Sequence, residues 1–294
     1  MDAQPSLTFG DFHLTIVSDG PYLADGGAMF GVVPKPLWEK KISADSLNRI
    51  ICGTNSVLVR TSSGKTVLIE TGIGSKLPEK LAQIYDCKAQ LLNSLAAAGV
   101  KPEEVEVVIN SHLHFDHCGW NTFRSGNEVV PTFPNARYFA QRGEWEHGCA
   151  QYERDRVSYI SDNYDPLIRT GQMQLLDGDA EIMPGISVAR YPGHTRNMTA
   201  ILLQSGGKTA CYISDLIPTS AHLDLAWVMA YDLYPLETIE NRKRFYSKAL
   251  PQDWLVIFTH DHAMPWAYLH QDARGKIVAK PVEVEASAGA KALI

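Results

Sequence analysis

No stretch of the 294 residues stays apolar for the ~20 positions that a membrane-crossing helix needs, so no membrane span is expected. Cysteine is scarce. The five thiols, at 52, 87, 118, 149 and 211, are odd in number and form no Cys-x-x-Cys pair, which suits a reduced, cytoplasmic protein better than a disulfide scaffold. Basic residues are not in excess: 27 Lys and Arg stand against 33 Asp and Glu, a formal charge of -6. A partner that is mainly phosphate backbone, nucleic acid above all, is therefore not expected. The opening residues, Met1-Asp2-Ala3-Gln4-Pro5-Ser6, lack the basic and apolar regions of a secretion signal. What is present is ordinary for a soluble enzyme: 45% hydrophobic and 20% charged residues. The chain is read as one domain over 1–294, with a core at about 10–270 and a terminal extension over 271–294.

The run His112-Leu113-His114-Phe115-Asp116-His117 packs three imidazoles and a carboxylate into six residues. Those groups together suit zinc and its borderline neighbours. The β-branched run Val105–Asn110 before it reads as a short buried strand, so the cluster sits where a strand ends. His-x-His turns two rings toward one point, while Asp116 and His117 can turn toward a second. One ion cannot easily use all four groups, so the spacing suggests two. His194 follows the strand-like 186–190, Asp215 ends the strand-like 209–214, and His260 ends the apolar run 255–259. Five His and two Asp suffice for two ions that share one carboxylate. His262 is an alternative to His260. Cys118 is read as an apolar filler beside the site rather than a ligand.

Strands are expected at 11–18, 55–60, 66–70, 137–140, 186–191, 199–204, 208–214 and 255–259, with a weak one at 276–279. Leu91, Leu92, Leu95 and Ala98 recur at helical spacing over 88–98, and Gly99 supplies a stop. Further helices are expected near 142–151 and 236–249. No short repeat is present, but two strand-then-helix halves fit an internal duplication. The Ala-rich tail from Glu283 is expected to be loose.

This order of ligands resembles the metallo-β-lactamase superfamily, whose signature is His-x-His-x-Asp-His followed by a His, an Asp and a His. All seven positions match in order. The resemblance implies an α/β (α+β) fold, a four-layer αβ/βα sandwich. It also implies two divalent ions, zinc by default with Mn, Co or Fe as alternatives. His112, His114 and His194 would hold the first, Asp116, His117 and His260 the second, with Asp215 bridging. Glu70 stands where the superfamily usually has Asp in an Asp-Thr-Gly turn, and is expected to brace the metal loop from behind. The alternative is a solvated acid at a turn.

Asp215 occupies the place of the zinc-bound Cys in antibiotic-hydrolysing members, which disfavours that branch. The segments 25–38, 214–222 and 230–235 resemble quorum-quenching N-acyl-homoserine lactonases and their methyl-parathion-hydrolase-like relatives. The resemblance implies a dinuclear hydrolase in which two cations make hydroxide available near neutral pH. That hydroxide opens the lactone ring, and Asp116 carries the proton to the leaving oxygen. The runner-up is a phosphotriesterase or arylesterase; a metal-binding scaffold without turnover would need a blocked pocket or a missing ligand, and no ligand is missing. Many of these lactonases bind the carbonyl through a Tyr three residues after the bridging Asp, a position filled here by Pro218. Tyr231 and His222 are the substitutes, each equally readable as structural. Met29 and Phe30, on a Gly- and Pro-punctuated loop with Trp38, suit a lip over an acyl chain, or else a homodimer contact or core plug. Phe115 and Trp120 flank the metal loop, as pocket lining or as packing.

Overall fold

The computed structural model describes residues 4–282. Two seven-stranded mixed sheets face each other. The first runs, edge to edge, Ser6–Phe9, Phe12–Ser18, Asn55–Thr61, Thr66–Ile69, Val107–Ile109, Arg137–Gln141 and Met173–Leu176. The second runs Ala180–Met183, Ile186–Arg190, Thr199–Ser205, Lys208–Tyr212, Leu255–Ile257, Trp266–Gln271 and Ile277–Pro281.

Strand periodicity creates the layers, because alternate side chains leave a strand on opposite faces. Leu14, Ile16, Val57, Val59, Val67 and Ile69 of the first sheet meet Ile186, Val188, Ile201, Leu203, Leu255 and Ile257 of the second in one shared core. The intervening residues point outward. Val17, Leu58, Leu68 and Val108 pack under Leu91 and Leu95 of the helix Leu91–Ala97. Ala200, Cys211, Val256 and Ala267 pack under Phe245, Tyr246 and Ala249 of the helix Pro235–Ala249. Helix, sheet, sheet and helix are the four layers of an αβ/βα sandwich.

The expected strands and helices fall on observed ones, with differences at their ends. The strand at 66–70 stops at Ile69 because Glu70 turns to φ +61. The helix expected over 88–98 begins only at Leu91, and Gly99 leaves it at φ +71. The terminal strand is Ile277–Pro281, and the Ala-rich tail lies outside the described residues. Short strands such as Tyr22–Asp25 paired with Arg49–Cys52 were not anticipated. Among the described residues no helix is long and apolar enough to cross a membrane.

Asp19 ties three segments together from its 3%-exposed position. Its Oδ1 accepts from Gln90 N, Leu91 N and Trp120 Nε1 at 2.7, 2.7 and 2.8 Å, and its Oδ2 from Ile73 N and Gly74 N at 2.8 and 2.9 Å. It thereby anchors the first turn of Leu91–Ala97 and the 72–74 turn behind the ligand loop. Gly72 is required there: its φ is +62, and a Cβ would meet the Asp19 Cβ at 2.3 Å. Removing the acceptor strands five donors, so Asp19→Ala should cost about 3–5 kcal/mol. A lower urea midpoint at unchanged slope is the expected readout.

Candidate metal centre

Four loops carry the ligand groups. Strands 186–190, 208–212 and 255–257 run the same way, since the first and second are each antiparallel to 199–205 and the third is parallel to the second. Their C-terminal ends thus share one sheet edge, and from it come His194, Asp215 and His260. The other four ligand groups follow Val107–Ile109 in the first sheet. Local backbone fixes each loop. Gly193, at φ +144, has Thr238 where a Cβ would fall, 2.4 Å away. Ser214 takes φ +52 to turn Asp215 inward, and its Oγ lies 2.7 Å from Ser111 Oγ, joining the two sheets' loops.

The ligand atoms fall into two groups that meet at Asp215. His114 Nδ1 lies 3.1 Å from both His112 Nε2 and His194 Nε2, and His194 Nε2 lies 3.3 Å from Asp215 Oδ2. On the other side, Asp215 Oδ1 is 3.2 Å from His260 Nε2 and 3.4 Å from His117 Nε2. Asp116 completes this side, with Oδ2 3.6 Å from His260 Nε2 and Oδ1 3.8 Å from His117 Nε2. Each half thus offers four donor atoms, with one Asp215 oxygen directed at each.

The opposite ring nitrogens are held from behind, the usual way of orienting an imidazole ligand. His194 Nδ1 meets Asp232 Oδ1 at 3.0 Å, His260 Nδ1 meets Gly53 O at 2.9 Å, and His112 Nδ1 meets Ser111 Oγ at 2.9 Å. Glu70, 1% exposed, accepts from Ser111 N at 2.8 Å and stands 3.5 Å from His117 Nδ1. It braces the loop from behind and is not a solvated acid. A second buried carboxylate, Glu144, joins the two halves of the first ligand group. It accepts from Thr195 Oγ1 at 2.5 Å, Tyr159 Oη at 3.1 Å and Leu113 N at 3.4 Å, and the Tyr159 ring packs edge-on against His114.

The donor set fits a pair of cations. Donors ~2.0–2.1 Å from a tetrahedral zinc stand ~3.3 Å from one another, close to the 3.1–3.8 Å between neighbouring atoms of these groups. Of the donor atoms, His117 Nε2 and Asp215 Oδ1 are buried without a hydrogen-bond partner, a costly state for polar atoms unless something pairs with them. Burial, with the neighbouring rings adding to it, drives the His112 and His114 imidazoles well below their ordinary value and leaves their lone pairs free. Burial alone would raise the Asp215 carboxyl, but His260, His117 and His194 hold it well below the usual carboxylate range. Burial would likewise lower His117, yet Asp215 and Asp116 hold it well above its ordinary value. The carboxylates and the imidazoles that face them thus stabilise one another's charged forms.

A cavity of about 190 Å³ opens above this floor, reached by His114, Asp116, His194, Asp215 and His260. Its walls are mainly apolar and aromatic: Tyr22, Met29, Tyr85, Phe115, Met229 and Leu233.

Two clusters of His and Asp donors sharing one carboxylate, at the edge of an αβ/βα sandwich, form groups able to bind metal. The family model described as the metallo-beta-lactamase superfamily matches residues 49–260, a span that contains every one of these donors, and the chain belongs to that superfamily. It is similar to an N-acyl homoserine lactonase of Bacillus cereus, 31% identical over 116 residues, 40% of each chain. The match thus spans well under half of that curated relative. A solved structure of a probable metal-dependent hydrolase from Staphylococcus aureus is 30% identical, with TM-score 0.85 over 95% of this chain and 100% of that one. The dizinc quorum-quenching lactonase AidC, solved with a product N-acyl-homoserine, shares the fold: 20% identity, TM-score 0.80, 97% of this chain and 99% of that one.

Of the residues expected around the substrate, Met29, Phe115 and Tyr231 line the cavity, and Tyr231 is 39% exposed. Three others are placed elsewhere. Phe30 is fully buried, stacked between Trp38 at 5.1 Å and His222 at 4.5 Å. His222 is fully buried too, with Nδ1 2.7 Å from Thr219 Oγ1 and Nε2 2.9 Å from Met29 O. Both its nitrogens are engaged, so it is a structural residue and not the substitute carbonyl ligand. Trp120 gives its indole N–H to Asp19 and packs in the first sheet's outer core. The expected exposed lip is two short helices, Gly26–Phe30 and Lys35–Trp38, with Met29, Phe30 and Trp38 buried; Val32 and Leu37 are the exposed members. Exposed His262 lies in a separate surface groove, and the Cys118 thiol faces the Leu113 and His114 carbonyls. Sequence reasoning missed Tyr22 and Tyr85. Around Tyr22, Gly20-Pro21 and Gly26-Gly27 signal turns but no chemistry.

Elemental analysis of wild-type protein should find two divalent ions per chain, and Asp215→Ala at most one, because each half loses its shared donor. A second expectation concerns His222, whose imidazole burial pushes down from 6.5 to about 3. The unfolded chain takes up this proton first, so the stabilisation is complete above pH ~6.5 and is lost as pH falls toward ~3. Between pH 7 and 5 the wild type should lose about 2 kcal/mol more stability than His222→Gln, measured by urea unfolding at both pH values.

Proposed function

We propose that this protein is a dinuclear metal-dependent hydrolase that opens the lactone ring of N-acyl-homoserine lactones. The observation that carries the reading is Asp215, with one carboxylate oxygen toward each donor group at the floor of an apolar-walled cavity. The similarity to the Bacillus cereus lactonase supports this substrate class, and the superfamily match supports a metal-dependent hydrolase. When bound, the two ions, zinc by default for this His and Asp set, supply a nucleophile near neutral pH and polarise the ester carbonyl.

The chain's own residues do the rest. His112, His114 and His194 would hold one ion, Asp116, His117 and His260 the other, with Asp215 shared. Asp116 is the most open of the ligands, its side chain 14% exposed, and lines the cavity. In this reading Asp116 takes the proton given up by the nucleophile and returns it to the ring oxygen as that bond breaks. Met29, Phe115, Met229 and Leu233 exclude water and receive the acyl chain. Tyr231, at the cavity's exposed side, offers a hydrogen bond to the acyl amide. The five cysteines are all unpaired, which fits a reducing, cytoplasmic setting.

The test is proton release from a homoserine lactone bearing an acyl tail, beside a phosphotriester and an aryl ester, with His112→Ala/Asp215→Ala as the blank. Lactone opening that disappears in the double variant is expected. Cleavage of the phosphotriester or aryl ester with the lactone left intact would replace this reading with an esterase of the same architecture.

A further inference from the structure

We propose that Tyr22 is a catalytic residue whose hydroxyl donates a hydrogen bond to an oxygen of the scissile ester group. The proposal rests on the lactone-opening reading above and names the group that meets the reacting oxygen. Tyr22 lines the cavity while only 5% exposed. Its Oη lies 3.5 Å from Asp116 Oδ2 and 3.4 Å from His260 Nδ1.

Neither neighbour is a good acceptor. His260 Nδ1 is 2.9 Å from Gly53 O; a carbonyl only accepts, so that nitrogen carries the hydrogen and cannot receive one. Asp116 Oδ2, at 3.5 Å, is at the limit of hydrogen bonding. The Cys52 thiol beside the phenol is a weak acceptor. A buried O–H thus reaches the cavity without a well-placed acceptor in the protein.

The ring is held still. It stands edge-on to His260 at 5.6 Å and to Tyr85 at 6.0 Å, and its backbone is paired with Cys52 in the 22–25/49–52 ribbon. A fixed donor of this kind gains strength as negative charge builds on the ester oxygen, so it acts on the barrier more than on binding. Tyr231, by contrast, is 39% exposed at the cavity's outer side.

Tyr22→Phe removes the hydroxyl and keeps the ring packing. Metal content, kcat and KM on the lactone would be measured for wild type, Tyr22→Phe and Tyr231→Phe, each loaded with metal. Expected for Tyr22→Phe are two ions per chain, a kcat lower by about 100-fold and a KM within about threefold of wild type. A kcat within about twofold of wild type overturns the proposal. Loss of an ion also overturns it, because Tyr22 would then support Asp116 and His260 rather than the substrate. So does a kcat loss found in Tyr231→Phe instead. A wild type that opens an aryl ester but no lactone defeats the functional reading alone, and the same variants then decide Tyr22 on that ester. A wild type inert toward all three substrates defeats both.

Discussion

The Asp215 carboxylate stands between two groups of imidazoles, with Oδ2 3.3 Å from His194 Nε2 and Oδ1 3.2 Å from His260 Nε2. Burying a carboxylate is costly unless it is paired, and this one is 4% exposed. Its position therefore dictates much of what surrounds it. His260, His117 and His194 stabilise its charge. Oδ1 faces His260 Nε2 at 3.2 Å and His117 Nε2 at 3.4 Å, so the carboxylate joins the two halves of the candidate site.

The fold supplies the rigidity this arrangement needs. A donor displaced by an ångström loses its metal, and the ligands come from loops of both sheets. Ser111 and Ser214 join those loops hydroxyl to hydroxyl, and Asn55 Nδ2 binds the Phe258 and Asp261 carbonyls on either side of His260. Glu144 spans the His112–His114 loop and the His194 turn, while Asp19 fixes the segments behind. These are buried carboxylates and amides whose partners are mostly backbone N–H and C=O groups. Each settles a loop's path, and the loop's path settles where a ligand points.

The candidate metal ligands were legible in the sequence because their chemistry is dense. Three imidazoles and a carboxylate within six residues have few other uses, and His194, Asp215 and His260 each end a β-branched or apolar run. The sandwich was legible for a related reason: alternation in runs such as Phe12–Ser18 and Thr199–Ser205 sorts side chains to two faces. The substrate cavity was not. Phe30, Trp38 and His222 are an aromatic and a histidine pattern that reads equally well as recognition, and only the three-dimensional stack shows that they plug the N-terminal segment into the loop after Asp215. Trp120 looked available until Asp19, 101 residues away in sequence, took its N–H. Tyr22 was invisible for the opposite reason: its partners Asp116 and His260 are 94 and 238 positions distant, and nothing local marks it.

In the proposed centre one carboxylate, Asp215, joins two ions. Electron paramagnetic resonance of the protein loaded with two equivalents of Mn(II) addresses it most directly. A carboxylate bridge predicts an exchange-coupled pair at full loading, replaced by isolated-ion signals in Asp215→Ala. Isolated-ion signals in the fully loaded wild type, or saturation at one ion per chain, would contradict it.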